Sequence, residues 1–305
     1  MSSVLLRKPI ITISAVAVLA IAGVGFAPAI GGTGGVWAAN IRAFLASPPL
    51  VGAPSVGAIL FIAAVLFVSG VVSGLAGFAF SAIAACVLWL LPPLQAVPLI
   101  MLLSTCNQML SIGKLRREIV LIGGDGREGA LPYIVGGLAG VPLGVALLRG
   151  LPTDCFAFGL GLFLIVYSAF MLLLPSYERI SVSGWKPATA VGALGGVVGG
   201  FSGFGASMLV IYLGLRNADK STVRGITQPY IVAMQLVSLG VLVFVDPAIF
   251  NRFFWLLWAV TLPAVLIGTN TGVALYRRLT DHNFRRAVLI LLILSGASLV
   301  TKALI

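Results

Sequence analysis

The sequence predicts an all-α protein that crosses a membrane many times and is built as two inverted-topology repeats. Three observations lead there. The chain has 305 residues, 60% of them hydrophobic and only 9% charged, with a mean hydropathy of +1.13. A soluble domain carries about 25% charged residues, so this chain cannot cover itself with a polar surface and belongs in a bilayer. Its apolar residues also fall in runs of helical span length. Finally, it repeats itself. Gly70-Val-Val-Ser-Gly-Leu-Ala-Gly-Phe-Ala-Phe-Ser81 returns as Gly196-Val-Val-Gly-Gly-Phe-Ser-Gly-Phe-Gly-Ala-Ser207, with seven of twelve positions identical. Gly144-Val-Ala-Leu-Leu-Arg-Gly-Leu151 returns as Gly272-Val-Ala-Leu-Tyr-Arg-Arg-Leu279, with six of eight identical. Matching glycine-broken segments in two halves of an apolar chain point to a transporter's binding site.

The elements follow in order. Residues 10–30 form an apolar run behind Arg7 and Lys8, and Val36-Trp-Ala-Ala39 resembles a cleavage site. Residues 1–55 therefore read as an N-terminal membrane helix or signal anchor with its linker. Repeat 1 spans 56–175 and repeat 2 spans 187–305, together one transport domain over 56–305. Each repeat opens on a glycine-broken region, 56–91 or 187–215. Splitting the second at Phe201–Gly205 leaves pieces of about 14 and 10 residues, short for a crossing that needs roughly 17–25. Each broken region is either a re-entrant helical hairpin or two short crossings. Three transmembrane helices follow in each repeat: 94–113, 129–149 and 155–174, then 225–245, 253–276 and 286–304.

Five basic clusters set the orientation. They are Arg7 and Lys8; Lys114, Arg116, Arg117 and Arg127; Arg179 and Lys186; Arg216, Lys220 and Arg224; and Arg277, Arg278, Arg285 and Arg286. Placing all five in the cytoplasm satisfies the positive-inside rule and puts the N-terminus inside. The basic loops then fall at different positions in the two halves, which is the pattern of inverted repeats. Three spans plus one broken element that starts and ends on the same side give the odd parity that inversion requires. The net charge of +11 is explained by these juxtamembrane clusters, so nucleic acid is not expected as a partner.

The chemistry centres on the breaks. A half-helix starting after Gly77 or Gly203 exposes N–H groups that no preceding turn satisfies, and its N-terminus carries about half a positive charge. Two such ends meeting near the midplane make an anion site. Glycine at 77, 203 and 205 allows close backbone approach. Ser73, Ser81, Ser202 and Ser207 add hydroxyls, and Phe78 and Phe204 are candidate gates. Gly192, Gly196 and Gly200 instead have the spacing of helix packing. Buried amides must face a cavity or another helix; Asn107, Gln108, Gln228, Gln235 and Asn270 are such residues. At an offset of 127, Gln108 pairs with Gln235 and Ser111 with Ser238. Cys86, Cys106 and Cys155 read as buried thiols. One histidine and no carboxylate within a span suggest no metal, no cofactor and no catalytic group. No G-x-x-x-x-G-K-[ST] motif is present for ATP.

At the two glycine segments the chain resembles the TauE/SafE family of sulfite and organosulfonate exporters. That family carries a glycine-rich segment near the start of each half, followed by a polar, glutamine-containing helix. Gly140-Val-Pro-Leu-Gly-Val-Ala-Leu147 is also similar to a recurrent helix of the family. The sequence departs from the family's triple-glycine ending, with Ala79-Phe80 and Gly205-Ala206 in its place. The resemblance covers about residues 56–304. It implies a secondary transporter of a small sulfur-containing anion, such as sulfite or sulfoacetate, in the bacterial inner membrane. The alternatives are a passive anion channel, an intramembrane enzyme, or an assembly subunit of sulfur metabolism.

Overall fold

The computed structural model describes residues 55–114, 119–123, 129–173, 184–276 and 281–305. The run at 10–30 and most of the basic loop residues lie outside these ranges. Among the described residues there is no strand, and six helices are long and apolar enough to cross a membrane.

The first half of the chain holds α1 (Val56–Ala76), α2 (Phe80–Ala84, continued by a 3-10 turn over Ala85–Trp89), α3 (Pro93–Lys114), α4 (Leu131–Gly150) and α5 (Thr153–Leu173). The second half holds α6 (Trp185–Ser202), α7 (Ala206–Leu215), α8 (Lys220–Val245), α9 (Arg252–Tyr276) and α10 (Asp281–Leu304). The glycine breaks divide their regions unequally. α1 has 21 residues, about 31 Å at 1.5 Å per residue, enough to cross a hydrocarbon core of about 30 Å. α6 has 18 residues, longer than the expected first piece because it takes in Trp185 and Lys186 at its start and Phe201 and Ser202 at its end. α2 with its 3-10 turn, and the 10-residue α7, reach only about half-way across. Each broken region is thus a long limb followed by a half-length one.

The two halves interlock. α1 packs along α9, α4 along α6, α5 along α10, and α3 against α8. The first helix of each half thus lies on the fourth helix of the other, and like elements meet at the centre. Small residues allow the contact. A Cβ on Gly70 would lie 2.7 Å from the Val265 carbonyl, and one on Gly74 2.7 Å from that of Thr269. On the α4–α6 seam, Gly192 faces Tyr133, Gly196 faces Gly137 and Gly200 faces Val141, while Gly136, Gly140 and Gly144 face backbone of α6 in return. Gly161 and Gly296 close α5 on α10 mutually, each 2.6 Å from the other's carbonyl if given a Cβ.

The outer helices turn Leu143, Val166, Leu194, Val260 and Ile267 outward, as lipid requires. α3 is the most enclosed span, with 78% of its apolar window buried. Asp219 caps α8 by accepting from the backbone N–H groups of Ser221 (3.1 Å) and Thr222 (3.2 Å). Hydrogen bonds from the same two residues push its carboxyl down to about 2. Pro229 removes an N–H from α8, and the freed Gly225 carbonyl accepts from Val120 N–H at 3.3 Å.

Two expectations change. Asn270 is exposed on α9 and donates back to the Leu266 carbonyl of its own helix at 2.8 Å. An amide exposed on the outer side of a span and bonded to its own helix does not line a buried cavity. The cysteines are free thiols but are not all buried: Cys155 is exposed in the first turn of α5, and Cys86 and Cys106 are half-buried.

Candidate functional site

Both long limbs end the same way. Gly77 closes α1 with φ 82° and donates its N–H to the Ser73 carbonyl at 2.7 Å; Gly203 closes α6 with φ 74° and donates to the Gly199 carbonyl at 2.7 Å. These are left-handed C-caps, a conformation that glycine adopts without a Cβ clash. The breaks differ one step later. Ala79 also takes a left-handed φ of 73°, whereas its counterpart Gly205 sits at φ −63°. A left-handed L-residue costs about 1–2 kcal/mol, so break 1 holds strain that break 2 does not. Neither half-length helix has a side-chain cap at its start.

The two breaks meet. A Cβ on Gly203 would lie 3.1 Å from Ser81 Oγ and 3.3 Å from Met101 Cγ. Between them is a cavity lined by Ala79, Phe80 and Ser81 of break 1, by Gly203, Phe204 and Ala206 of break 2, and by Ser104, Gln108 and Ile231. Its volume is about 10 Å³, the room that one water needs. Phe204 is fixed by edge-on contacts with Tyr167 and Phe163, with ring centres 5.4 and 6.5 Å away.

α3 and α8 tie the breaks together. Gln108 Nε2 donates to the Gly77 carbonyl at 3.3 Å, and Gln235 Nε2 donates to the Gly203 carbonyl at 3.4 Å. The glutamines paired at the 127-residue offset thus do the same task in each half. Arg224, Gln228, Ile231 and Gln235 follow at i, i+4, i+7 and i+11, one face of α8. That face runs from break 1 past the cavity to break 2. Arg224, expected as a cytoplasmic loop charge, is instead a buried residue of a membrane helix. It is 2% exposed within α8, its Nη2 donates to the Gly74 carbonyl at 2.6 Å, and its stem lies where a Gly77 side chain would be.

The other candidates are placed variously. Asn107 Nδ2 donates to Ser73 Oγ at 2.8 Å, and Thr269 Oγ1 donates to Asn107 Oδ1 at 2.6 Å, a buried clamp joining α3, α1 and α9 away from the cavity lining. Ser202 Oγ donates to the Val198 carbonyl and accepts from Phe204 N–H, while Ser207 Oγ donates to the Phe204 carbonyl. Both serines shape break 2 rather than line the cavity. Gly205 lets the break lie against α6, since a Cβ there would be 2.7 Å from the Gly195 carbonyl. Phe78 is half-buried, and Phe80 takes the lining position opposite Phe204. Gln228 is fully buried with neither amide atom hydrogen-bonded.

α10 holds α2 from the side. Ser295 Oγ donates to the Ala82 carbonyl at 2.8 Å, Trp89 Nε1 donates to Ser298 Oγ at 2.7 Å, and Lys302 Nζ donates to the Leu88 carbonyl. In the second half the rings of α5 instead hold Phe204, in the break just before α7. The residues that sequence reading missed are Arg224, Ser104, Thr105, Phe80 and this α10 row. For Arg224 and Ser104 a signal existed: polar residues recurring on one face of an otherwise apolar helix.

The model of the sulfite exporter TauE/SafE family matches residues 61–299, from within α1 to the last turns of α10. The chain belongs to the TauE/SafE family. No curated protein and no solved structure matches it. The family match covers both breaks, both glutamines and Arg224, and it makes this chain a multi-pass membrane protein of a transporter family. In this family member Arg224 lies against Gly77, whose carbonyl is bonded by Gln108 of the cavity lining. At an effective dielectric of about 20, unit charges ~8 Å apart interact by about 2 kcal/mol. Arg224→Met is therefore expected to weaken anion binding roughly thirtyfold, and Arg224→Lys to weaken it less. Titration of the purified variants checks this; equal affinity in Arg224→Met would remove the field from the account.

Proposed function

We propose that the protein is a secondary transporter that moves a small sulfur oxyanion or organosulfonate across the bacterial inner membrane. The anion sits between the two breaks, held by the N–H groups that open α2 and α7 and by the Ser81 and Ser104 hydroxyls. Arg224 biases the site by its field and not by contact. One observation carries this reading: a break from each half walls the same small cavity. Uncapped helix starts are ready anion sites, and transporters of repeated architecture place such starts at the repeat interface. A water-sized cavity is too small for an anion, so entry of an anion requires the breaks to part.

Counterflow in proteoliposomes tests the reading. Saturable exchange is expected for sulfite or a sulfonate, above that for sulfate and acetate. Flux that never saturates identifies a passive channel, and no flux of any sulfur anion overturns the proposal. The inverted topology is part of the same reading. Arg127→Cys and His282→Cys are expected to label from one face, the cytoplasmic one, with an impermeant thiol reagent. Labelling from opposite faces overturns the inversion.

A further inference from the structure

We propose that Gln108 makes the site select an anion that brings its own hydrogen-bond donor, either an acidic proton on the oxyanion or a hydroxyl beside a sulfonate. The inference rests on the cavity being the anion's seat. It comes from a difference between two residues that otherwise do the same thing. Gln108 and Gln235 each turn Nε2 to the carbonyl of a break glycine, at 3.3 and 3.4 Å. A carbonyl oxygen only accepts, so the amide nitrogen must face it and Oε1 must point elsewhere. In repeat 2 that oxygen is satisfied: Thr105 Oγ1 donates to Gln235 Oε1 at 3.1 Å. At the 127-residue offset the counterpart of Thr105 is Val232, which has no hydroxyl. Gln108 Oε1 is accordingly buried without a partner.

The location gives this orphan acceptor its meaning. Gln108 is 1% exposed and lines the cavity, whereas Gln235 does not. Buried acceptors without a partner are rare and call for an explanation. Here an occupant carrying O–H or N–H supplies the missing bond. An anion with acceptors only would place a charged oxygen against the negative end of the amide dipole. Sites built to hydrogen-bond a substrate hydroxyl reject analogues that lack it far more strongly than apolar pockets discriminate by size. The Ser81 and Ser104 hydroxyls remain to donate to the anion's other oxygens.

The test compares three probes of equal charge on the purified full chain: methanesulfonate, hydroxymethanesulfonate, and hydrogen sulfite buffered well below its second ionisation. At least one donor-bearing probe is expected to bind ten times or more tighter than methanesulfonate. Preference for hydrogen sulfite alone assigns an acidic proton as the donor, and preference for hydroxymethanesulfonate alone assigns a hydroxyl. Val232→Thr restores the missing hydroxyl at nearly constant volume and is expected to bring the ratio to about one. Val232→Ala keeps the preference. Gln108→Met, which removes the acceptor, equalises the probes by a second route should the threonine variant fold poorly. Wild-type protein that binds methanesulfonate as tightly as both donors overturns the inference, as does a Val232→Thr variant that keeps the preference. If none of the three anions binds, the site reading itself falls and takes this inference with it.

Discussion

Gly203→Val is expected to abolish anion binding, and Gly77→Val to do the same, in protein that still folds. Both positions sit at φ above +70°, where a β-branched residue is a genuine outlier. At 203 the new side chain would start 3.1 Å from Ser81 Oγ and 3.3 Å from Met101 Cγ. It therefore fills the space where the two breaks approach each other. At 77 it would start 3.0 Å from Arg224 Nε, so it both displaces the cation and disturbs the turn that sets Ala79, Phe80 and Ser81 against the cavity. The strain is about 1–2 kcal/mol for the left-handed conformation, less than the 5–15 kcal/mol that a typical domain has in reserve. A pure packing role predicts another pattern: lower thermal stability with normal affinity in the folded fraction. Calorimetric titration alongside a melting curve separates the two. Wild-type affinity in well-folded Gly77→Val and Gly203→Val would end the assignment of the breaks as the anion's seat.

The second large effect falls on stability. Gly140→Val is expected to prevent accumulation of folded protein. A Cβ on Gly140 would run into the Ala193 carbonyl and lie 2.8 Å from Val197 N. Both are backbone atoms of α6 and cannot rotate away. Overpacking a core costs about 1–3 kcal/mol when side chains can adjust. Here α4 and α6 would have to separate, and the glycine contacts along their seam would loosen together. Gly159→Val is the control, because a Cβ there meets nothing within 4 Å. Yield of monodisperse protein and its melting temperature provide the readout. A Gly140→Val variant that melts with the wild type would mean that the seam is not what holds α4 to α6.

The spans were legible because hydropathy is a local property: 94–113 became Pro93–Lys114 and 155–174 became Thr153–Leu173. The breaks were legible because they are written twice. Their convergence follows from the duplication, but the particular contact does not, since nothing local in a sequence records that Ser81 lies beside Gly203. The aromatic facing Phe204 was misassigned for a stereochemical reason. Aligning the repeats pairs Phe78 with Phe204, but Ala79 adds a second left-handed residue to break 1. The chain turns once more there, and Phe80 reaches the cavity instead. Arg224 was misread because it lies four residues after Lys220 in a basic cluster. Its periodicity with Gln228 and Gln235 was the better guide than the charge of its neighbours.

The exchange of helices between the halves has a consequence for how the molecule is made. α1 leaves the ribosome long before its partner α9 begins at Arg252. At about 5–20 residues per second the wait is roughly ten to thirty-five seconds. Through that interval the flat glycine face of α1 stands against lipid, and so does the face of α4 until α6 arrives. The first half therefore cannot mature alone. It is an unfinished mould that the second half fills, and biogenesis must hold the early helices inserted but uncommitted until nearly the whole chain has been translated. By the same logic, a chain cut between Leu173 and Gly184 should reassemble from two co-expressed fragments, each an orphan without the other.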